Sequence, residues 1–432
     1  MSEKLSTSPY KGTRDFYPRE MQLRNWFFGV IREVLENSAF DEYNGPMLES
    51  LDIYAAKSGE ELACEQTYNF FDRGERHLAI RPEMTPTVAR MVAAKMGELN
   101  FPLRWFSIPN MYRYERPQRG RLREFWQINV DIFGCDTYEA DLECIISAIN
   151  ILRAYGADES MFTVHINNRR FFNDVISAIA GTDAEGSRKV SKVIDRKNKI
   201  PRNAYENELI ELGLSEEQIE RIDALYTMGV EEATDICPDS QGAQELRQLF
   251  EMLKKTGLDR YCIFDFGIIR GLDYYTGTVF EVFDNAPENN RAMFGGGRYD
   301  NLVGLYVKNA KISGVGYGMG DVTLENFLFT HNLVPEKLGS GVKVLVTRFN
   351  DVPYENYIQL AESLRAAGIT SSVYLGSKKF GKQIDFAVKE DYTHVITMGG
   401  DELARGVVRL KDLNTREEQE LSVDAVIDAL KA

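Results

Sequence analysis

Apolar and polar residues alternate along the chain between residues 124 and 133. Phe125, Gln127, Asn129 and Asp131 occupy every second position, and the positions between them are all apolar: Trp126, Ile128, Val130 and Ile132. Because successive side chains of a β-strand point to opposite faces, this pattern predicts a strand with one core face. The other face carries an aromatic ring, two amides and a carboxylate.

A second long strand from Leu103 and a basic turn at Pro117–Arg123 complete a predicted hairpin. Arg113 and Glu115 are two residues apart and therefore share a face, and the turn region adds Arg116, Arg119, Arg121 and Arg123. One alternative is a hairpin whose polar face meets only water. Arginines beside amides and a carboxylate favour instead a ligand that carries phosphate and ammonium groups.

Helical periodicity predicts helices over 20–39 and 138–155, and a third helix begins near Glu83 and Thr85. Glu83 could serve there simply as a first-turn acid. A strand-like stretch follows Pro46, and a hairpin closes at Arg73–Gly74. Residues 170–256 are mostly helical and charged, which indicates a helical insertion.

Strand patterns resume at 264–283, which includes RGLDYY with Arg270, Tyr274 and Tyr275. FGGGRYD follows at 294–300, and glycines then alternate at 314, 316, 318 and 320. A strand face made of glycines suits a nucleotide laid across a sheet, although tight packing is the alternative. After a short linker at 335–341, alternating strands and helices predict a small α/β domain with mainly parallel strands.

Composition narrows the class of protein. A chain of 432 residues predicts two or three domains, and a net charge of -15 argues against a general nucleic-acid coat protein. Five scattered cysteines indicate a reducing cytoplasm, and four dispersed histidines give no metal site. No long uncharged apolar run predicts a membrane span, and no secretory signal is legible.

Taken in order, these motifs resemble class II aminoacyl-tRNA synthetases, and within them the histidine–tRNA ligase family. The resemblance covers nearly the whole chain and rests on KGTRDFYP at 11–18, IRPEMT at 80–85, RYERPQRGRLREFWQ at 113–127, RGLDYYTGTVFE at 270–281 and GGGRYD at 295–300. It implies an α+β fold with an antiparallel catalytic sheet and flanking helices. It divides the chain into catalytic parts at 1–169 and 257–335, a helical insertion at 170–256 and an α/β anticodon-binding domain at 341–432.

The resemblance also implies a reaction and its residues. Histidine is joined to tRNA(His) through a histidyl-adenylate, with ATP and Mg²⁺ as the substrate complex, in a cytoplasmic homodimer with no membrane partner. Arg113 and Arg270 would be catalytic, and Arg113, Glu115, Arg121 and Phe125 would bind ATP. Histidine would be bound by Glu83, Thr85, Gln127, Asp131, Arg270, Tyr274 and Tyr275. Arg116, Gln118 and Arg123 would contact the tRNA acceptor end, and no protein-held metal is implied.

One position departs from the family pattern. Class II motif 3 carries an arginine for the γ-phosphate three residues after its last glycine, whereas this chain has Thr323 there and an acid, Asp321, at the helix start. From their spacing, Arg121 or Arg123 could supply the missing charge.

Three other interpretations stay open. A non-catalytic paralogue that regulates histidine biosynthesis or senses tRNA is favoured by Thr323 and opposed by the predicted anticodon-binding domain. A threonyl or prolyl enzyme is opposed by RGLDYY and by the lack of zinc ligands. A pure RNA-binding protein is opposed by the acidic balance.

Overall fold

The computed structural model describes residues 5–55, 66–182, 184–194, 196–197, 200–268, 275–289, 291–336, 338 and 341–431. Contacts divide the chain into two compact units, Met1–Pro335 and Glu336–Ala432.

Helices and strands of the first unit follow one another throughout its length. Its helices are α1 (Pro18–Asn37), α2 (Asp52–Ala55), α3 (Thr85–Lys95), α4 (Tyr138–Ala154), α5 (Arg169–Ala180), α6 (Ala184–Ile194), α7 (Arg202–Glu211), α8 (Glu216–Ala224), α9 (Val230–Thr234), α10 (Gln241–Lys255) and α11 (Asp321–Thr330), with 3₁₀ turns at Asp259–Tyr261 and Val303–Leu305. Its strands are β1 (Asp41–Glu42), β2 (Leu48–Ser50), β3 (Tyr68–Phe71), β4 (His77–Ile80), β5 (Leu103–Ser107), β6 (Asn110–Tyr112), β7 (Glu124–Phe133), β8 (Phe162–Asn168), β9 (Cys262–Phe264), β10 (Thr278–Asp284), β11 (Ala292–Arg298) and β12 (Gly314–Gly320).

The main sheet has the order β1-β5-β7-β12-β11-β10-β8-β9, and β6 also pairs with β7. Its pairings are antiparallel except for β1–β5 and β8–β9 at the two ends. Ile128, Val130 and Ile132 are buried in one apolar core with residues of α1 and α4. The predicted core face of β7 and the antiparallel sheet are therefore confirmed.

Two predicted strands are shorter in the structure. The strand before the basic turn is interrupted at residues 108–109, so that β5 and β6 replace one long strand. Pro109 has no N–H for a regular ladder, although its carbonyl accepts from Gln127 N at 3.1 Å. After Pro46 the described strand is β2 and the helical turn α2 follows it, while the rest of this predicted stretch, from residue 56, lies outside the described residues.

The helices α5 to α10 occupy most of residues 170–256, as their pattern predicts. Their apolar residues belong to the same core as the main sheet. For example, Leu246 and Leu249 of α10 share this core with Val164 of β8. Because contacts keep this segment within the first unit, a separate insertion domain stays a prediction.

The second unit is an α/β domain, as predicted. It contains β13 (Lys343–Val346), α12 (Tyr354–Ala366), β14 (Thr370–Val373), α13 (Phe380–Lys389), β15 (His394–Thr397), α14 (Gly400–Arg405), β16 (Val408–Asp412), β17 (Glu418–Leu421) and α15 (Val423–Lys431). The sheet order is β14-β13-β15-β16-β17.

Half of the pairings in this second sheet differ from the prediction. β13 pairs in parallel with β14 and β15, but β15–β16 and β16–β17 are antiparallel, so "mainly parallel" is wrong for the sheet as a whole. The sequence pattern does not predict β17 as a strand, because its residues are charged and mostly exposed, which is common for an edge strand. Within the described part of the chain, no helix is both long enough and apolar enough to span a membrane.

Candidate active site

The polar face of β7 lies beside the glycines of β12. Asp131 pairs with Gly316, Asn129 with Gly318 and Gln127 with Gly320. A Cβ atom on Gly318 would lie 2.6 Å from Nε2 of Gln127, and one on Gly316 would overlap the carboxylate of Asp131. Gly316 and Gly318 are therefore required by the side chains of β7, which extend over them.

A cavity of about 620 Å³ opens at the end of these strands. Six residues predicted to contact a ligand line it, namely Arg113, Glu115, Gln118, Arg121, Phe125 and Gln127. The start of α11, residues 288–289 and 291–294, other residues of the basic turn and two glycines of β12 also line it. The structure thus brings together all four residues predicted for ATP, one predicted for histidine and one predicted for the tRNA acceptor end.

Two of the lining arginines are held in place by other groups. Nε of Arg113 donates to the carbonyl of Pro82 at 2.9 Å, and its guanidinium carbon lies 5.4 Å from the ring centre of Phe125. Arg121 lies 3.1 Å from the carboxylate of Glu115. A positioned cation beside an aromatic ring and a carboxylate suits a nucleotide, with its phosphate at the cation and its base at the ring.

The basic turn is tied to the N-terminal segment. The carbonyl of Gly12 accepts from the backbone N–H groups of Arg123 and Glu124, at 2.9 and 3.0 Å. Arg123 donates to the hydroxyl of Tyr10 at 2.6 Å and stacks over Tyr114. The structure therefore directs Arg123 away from the cavity, whereas Arg121 lines it. Arg116 is exposed.

Asp131 is buried in the first unit, where its side chain lies over Gly316. Tyr299 donates to its Oδ1, while Oδ2 has no hydrogen-bond partner in the described part of the protein. Burial raises the pKa of Asp131 to about 7, although the Tyr299 bond acts in the opposite direction. A free, buried acceptor of this kind can accept a hydrogen bond from an ammonium group.

The other predicted histidine ligands lie at the edges of this region. Glu83 is buried just before α3, and Thr85 is the half-buried first residue of that helix. Tyr275 is buried in an apolar cluster that also contains Tyr299, the partner of Asp131. Arg270 and Tyr274 lie outside the described residues.

Arg298 of GGGRYD has a structural position. It is 2% exposed and binds the Asp141 carboxylate at 3.0 Å, the Cys135 carbonyl at 2.9 Å and the Thr137 carbonyl at 2.7 Å. Burial lowers the pKa of Arg298, but the Asp141 carboxylate raises it, and the net effect is a rise. This ion pair fixes β11 against the start of α4.

At the start of α11, Asp321 is neutralised by arginines from the N-terminal part of the chain. Arg14 lies 2.6 Å from its carboxylate and Arg24 lies 3.9 Å away, while Trp126 N donates to it at 3.0 Å. Arg24 also packs on Trp126, 3.4 Å from the ring centre. The acid therefore does not present a bare negative charge to the cavity, which sequence reasoning alone did not reveal.

This antiparallel sheet with its glycine face, cationic cavity and adjoining helix is the architecture of the class II aminoacyl-tRNA synthetases. A family model described as "Histidyl-tRNA synthetase" matches residues 12–321, and one described as "Anticodon binding domain" matches residues 343–432. The chain belongs to the histidyl-tRNA synthetase family.

One relative agrees with this assignment in sequence, and two solved structures have a similar fold. The chain is 43% identical to "Histidine--tRNA ligase" of Leptospira biflexa serovar Patoc, over 99% of this chain and 98% of that protein. The crystal structure of histidyl-tRNA synthetase from Nostoc sp. PCC 7120 has a similar fold, with a TM-score of 0.83 at 24% identity and 99% of each chain covered. A structure from Bacillus halodurans named "ATP phosphoribosyltransferase regulatory subunit/histidyl-tRNA synthetase" has a TM-score of 0.74 at 25% identity and covers 91% of this chain and 99% of its own.

Proposed function

We propose that this protein ligates L-histidine to tRNA(His) in two steps that consume ATP. The observation that carries the proposal is the cavity in which Arg113, Phe125 and Gln127 meet beside the glycine strand β12. It offers a cation for a phosphate, a ring for a base and an open sheet face for an amino acid. Family membership supports the same reaction.

In the first step, the histidine carboxylate attacks the α-phosphorus of ATP, and pyrophosphate leaves. Arg113 and Arg270 would contact the α-phosphate, where the pentavalent transition state gathers negative charge. Arg113 is already oriented by the Pro82 carbonyl, so little reorganisation is needed when that charge develops. Phe125 would stack on adenine, Glu115 would accept from its amino edge, and Arg121, which is paired with Glu115, would complete the ATP site.

Histidine would bind by its two ends. Its ammonium would contact Glu83, Gln127 and Asp131, and its imidazole would lie among Thr85, Tyr274 and Tyr275. The free Oδ2 of Asp131 supports this assignment, because an arriving ammonium would pair with a buried carboxylate. A pocket that hydrogen-bonds both ring nitrogens would reject apolar side chains, which would leave those partners unpaired.

In the second step, a ribose hydroxyl of the terminal adenosine takes the histidyl group and AMP leaves. We propose that Arg116, Gln118 and Arg123 contact the acceptor end of tRNA(His). Arg116 and Gln118 are exposed at the basic turn, and Arg123 contacts Tyr10 and Tyr114. The unit from residue 336 would bind the anticodon.

Magnesium would enter with ATP. Among the residues that the structure describes, no group of three or more His, Cys, Asp or Glu residues could hold a metal. Glu115 and Glu288 nevertheless line the cavity, and Mg²⁺ is usually held by substrate phosphates with one or two carboxylates. The residues therefore fit an ion carried mainly by the phosphates, where it neutralises phosphate charge.

We also propose a homodimer in the cytoplasm. Large apolar side chains are exposed on or next to α1, β2 and β3, including Tyr17, Met47 and Phe71. A second copy would cover them. The four described cysteines are free, which suits a reducing compartment. Sedimentation analysis should give twice the 49.2 kDa of one chain, and a single-chain mass would contradict the dimer.

The test of the reaction is ATP–pyrophosphate exchange without tRNA, run separately with histidine, threonine, proline and glycine. Exchange that depends on histidine alone supports the proposal. Exchange with threonine or proline would assign another class II activity. No exchange, together with measurable histidine or tRNA binding, would indicate a regulatory paralogue.

A further inference from the structure

Thr323 cannot replace the arginine that motif 3 carries at this position. Its hydroxyl lies 2.7 Å from the carbonyl of Met293 and 3.1 Å from that of Gly320, so its hydrogen is used within the protein. The basic turn packs against Thr323, so that a Cβ atom on Gly120 would lie 3.4 Å from Cγ2 of Thr323. A longer side chain at position 323 would meet this turn. The cationic contact to the outer phosphates must therefore come from elsewhere.

Four arginines line the cavity, and three of them already have partners. Arg113 is bonded to Pro82, Arg121 to Glu115, and Nη2 of Arg119 donates to Oδ1 of Asn289 at 3.0 Å. The fourth, Arg291, is exposed and has no hydrogen bond or ion pair within the described part of the chain. Arg291 is thus the lining cation whose charge remains available.

Hydrogen bonds anchor residues on both sides of Arg291 in the chain. It directly precedes β11, and two residues later the Met293 carbonyl accepts the Thr323 hydroxyl. On its other side, Asn289 donates to the buried Asp284 at 2.6 Å and to Thr330 at 3.2 Å. The segment that carries Arg291 is therefore anchored to the helix where the usual arginine would stand.

Asp284 itself is held by two further contacts. It accepts from Ala286 N at 2.8 Å and lies 2.8 Å from Nε2 of His331. Asn289 also accepts from Arg119, so this short network joins the loop, the basic turn and the end of α11. Such preorganisation lowers the entropic cost of holding a phosphate group.

We infer that Arg291 binds the γ-phosphate of ATP, and the pyrophosphate product, in place of the arginine absent at position 323. The inference rests on the proposed adenylation reaction. Of the described carboxylates that line the cavity, Asp321 is paired with Arg14 and Glu115 with Arg121, whereas Glu288 has no ion pair. Glu288 is suited to share a phosphate-bound magnesium ion.

The test compares Arg291→Ala and Arg291→Lys with Arg221→Ala, an exposed arginine on α8 outside the cavity. Equilibrium binding of Mg²⁺–ATP and of AMP is measured for each variant, and KM for ATP and for pyrophosphate is measured in histidine-dependent exchange. Arg291→Ala should weaken ATP and pyrophosphate binding about tenfold or more, as expected when a charged hydrogen-bond donor is lost. AMP and histidine binding should not change, and Arg291→Lys should recover part of the loss.

The outcomes separate two kinds of failure. If the unmodified protein shows no histidine-dependent exchange, the proposed function fails, while the comparison of ATP with AMP still tests Arg291. Equal ATP binding by the unmodified protein and Arg291→Ala would overturn the inference alone. An equal loss for ATP and AMP would also overturn it, because that pattern indicates a distorted cavity rather than a lost contact to the outer phosphates.

Discussion

Replacing Asp131 with asparagine removes a buried titratable carboxyl group but preserves the side-chain shape. The Tyr299 hydroxyl can still donate to the amide oxygen, so the packing around position 131 should survive. We expect Asp131→Asn to weaken histidine binding. We also expect it to flatten the dependence of the first unit's stability on pH.

The magnitude follows from the pKa of Asp131, which burial raises from 3.8 to about 7. Between these values the folded protein keeps a proton that the unfolded chain releases. Its contribution to stability is therefore complete below about pH 4 and is lost as pH rises through about 7. The pKa difference corresponds to about 4 kcal/mol of unfolding free energy, at ~1.4 kcal/mol per pKa unit.

Urea unfolding followed by tryptophan fluorescence is the appropriate assay. The three tryptophans, at positions 26, 105 and 126, all lie in the first unit. Unfolding free energies from pH 5 to 8 should fall more steeply for the unmodified protein than for Asp131→Asn. Every other titrating group is common to both proteins, so the difference between the profiles isolates Asp131.

Tyr299→Phe provides a matched control. It removes the hydrogen bond that lowers the pKa of Asp131, so the stability loss should shift to higher pH. L-Histidine should stabilise the unmodified protein more at pH 8 than at pH 6. This difference should be larger than the corresponding difference for Asp131→Asn. Parallel profiles for the unmodified protein and Asp131→Asn would refute this account of the site.

Three further predictions concern neighbouring features. Arg298→Leu leaves the Asp141 carboxylate buried without its partner and should destabilise the first unit by about 3–5 kcal/mol in urea unfolding. Adding Asp141→Asn should recover part of this loss. Additive losses for the two substitutions would contradict a paired role. Gly318→Ala should raise KM for histidine by displacing Gln127 while circular dichroism stays unchanged, and Gly29→Ala, which meets open space, is its control. Arg121→Ala should raise KM for ATP or lower kcat in pyrophosphate exchange, and unchanged kinetics would exclude Arg121 as a phosphate ligand.

The main sheet and part of the site could be predicted from local pattern. Alternation over 124–133 is enough to separate the buried set of β7 from its polar set, because a strand has only two faces. The alternating glycines at 314–320 likewise distinguish the two faces of a strand, and in the structure this strand pairs with β7. The roles of individual residues came from the family resemblance rather than from pattern.

What could not be predicted depends on contacts between distant parts of the chain. Arg298 and Asp141 are 157 residues apart, and no periodic signal connects them. Arg291 lies in a polar stretch without alternation, and its use follows from the fold, which places it on the cavity wall two residues before the Met293 carbonyl that accepts from Thr323. The basic turn looked uniform in sequence, yet the structure directs Arg121 into the cavity and Arg123 to Tyr10.

The contact between Arg14 and Asp321 has a consequence for biosynthesis. These residues are 307 positions apart, so at ~5–20 residues per second the ribosome needs roughly 15–60 s to supply Asp321 after it has made Arg14. During that interval the N-terminal segment can engage the basic turn through Gly12 and Tyr10, but it cannot engage α11. The wall that carries Thr323 is therefore among the last parts of the first unit to be made, and the nascent enzyme cannot enclose ATP before then.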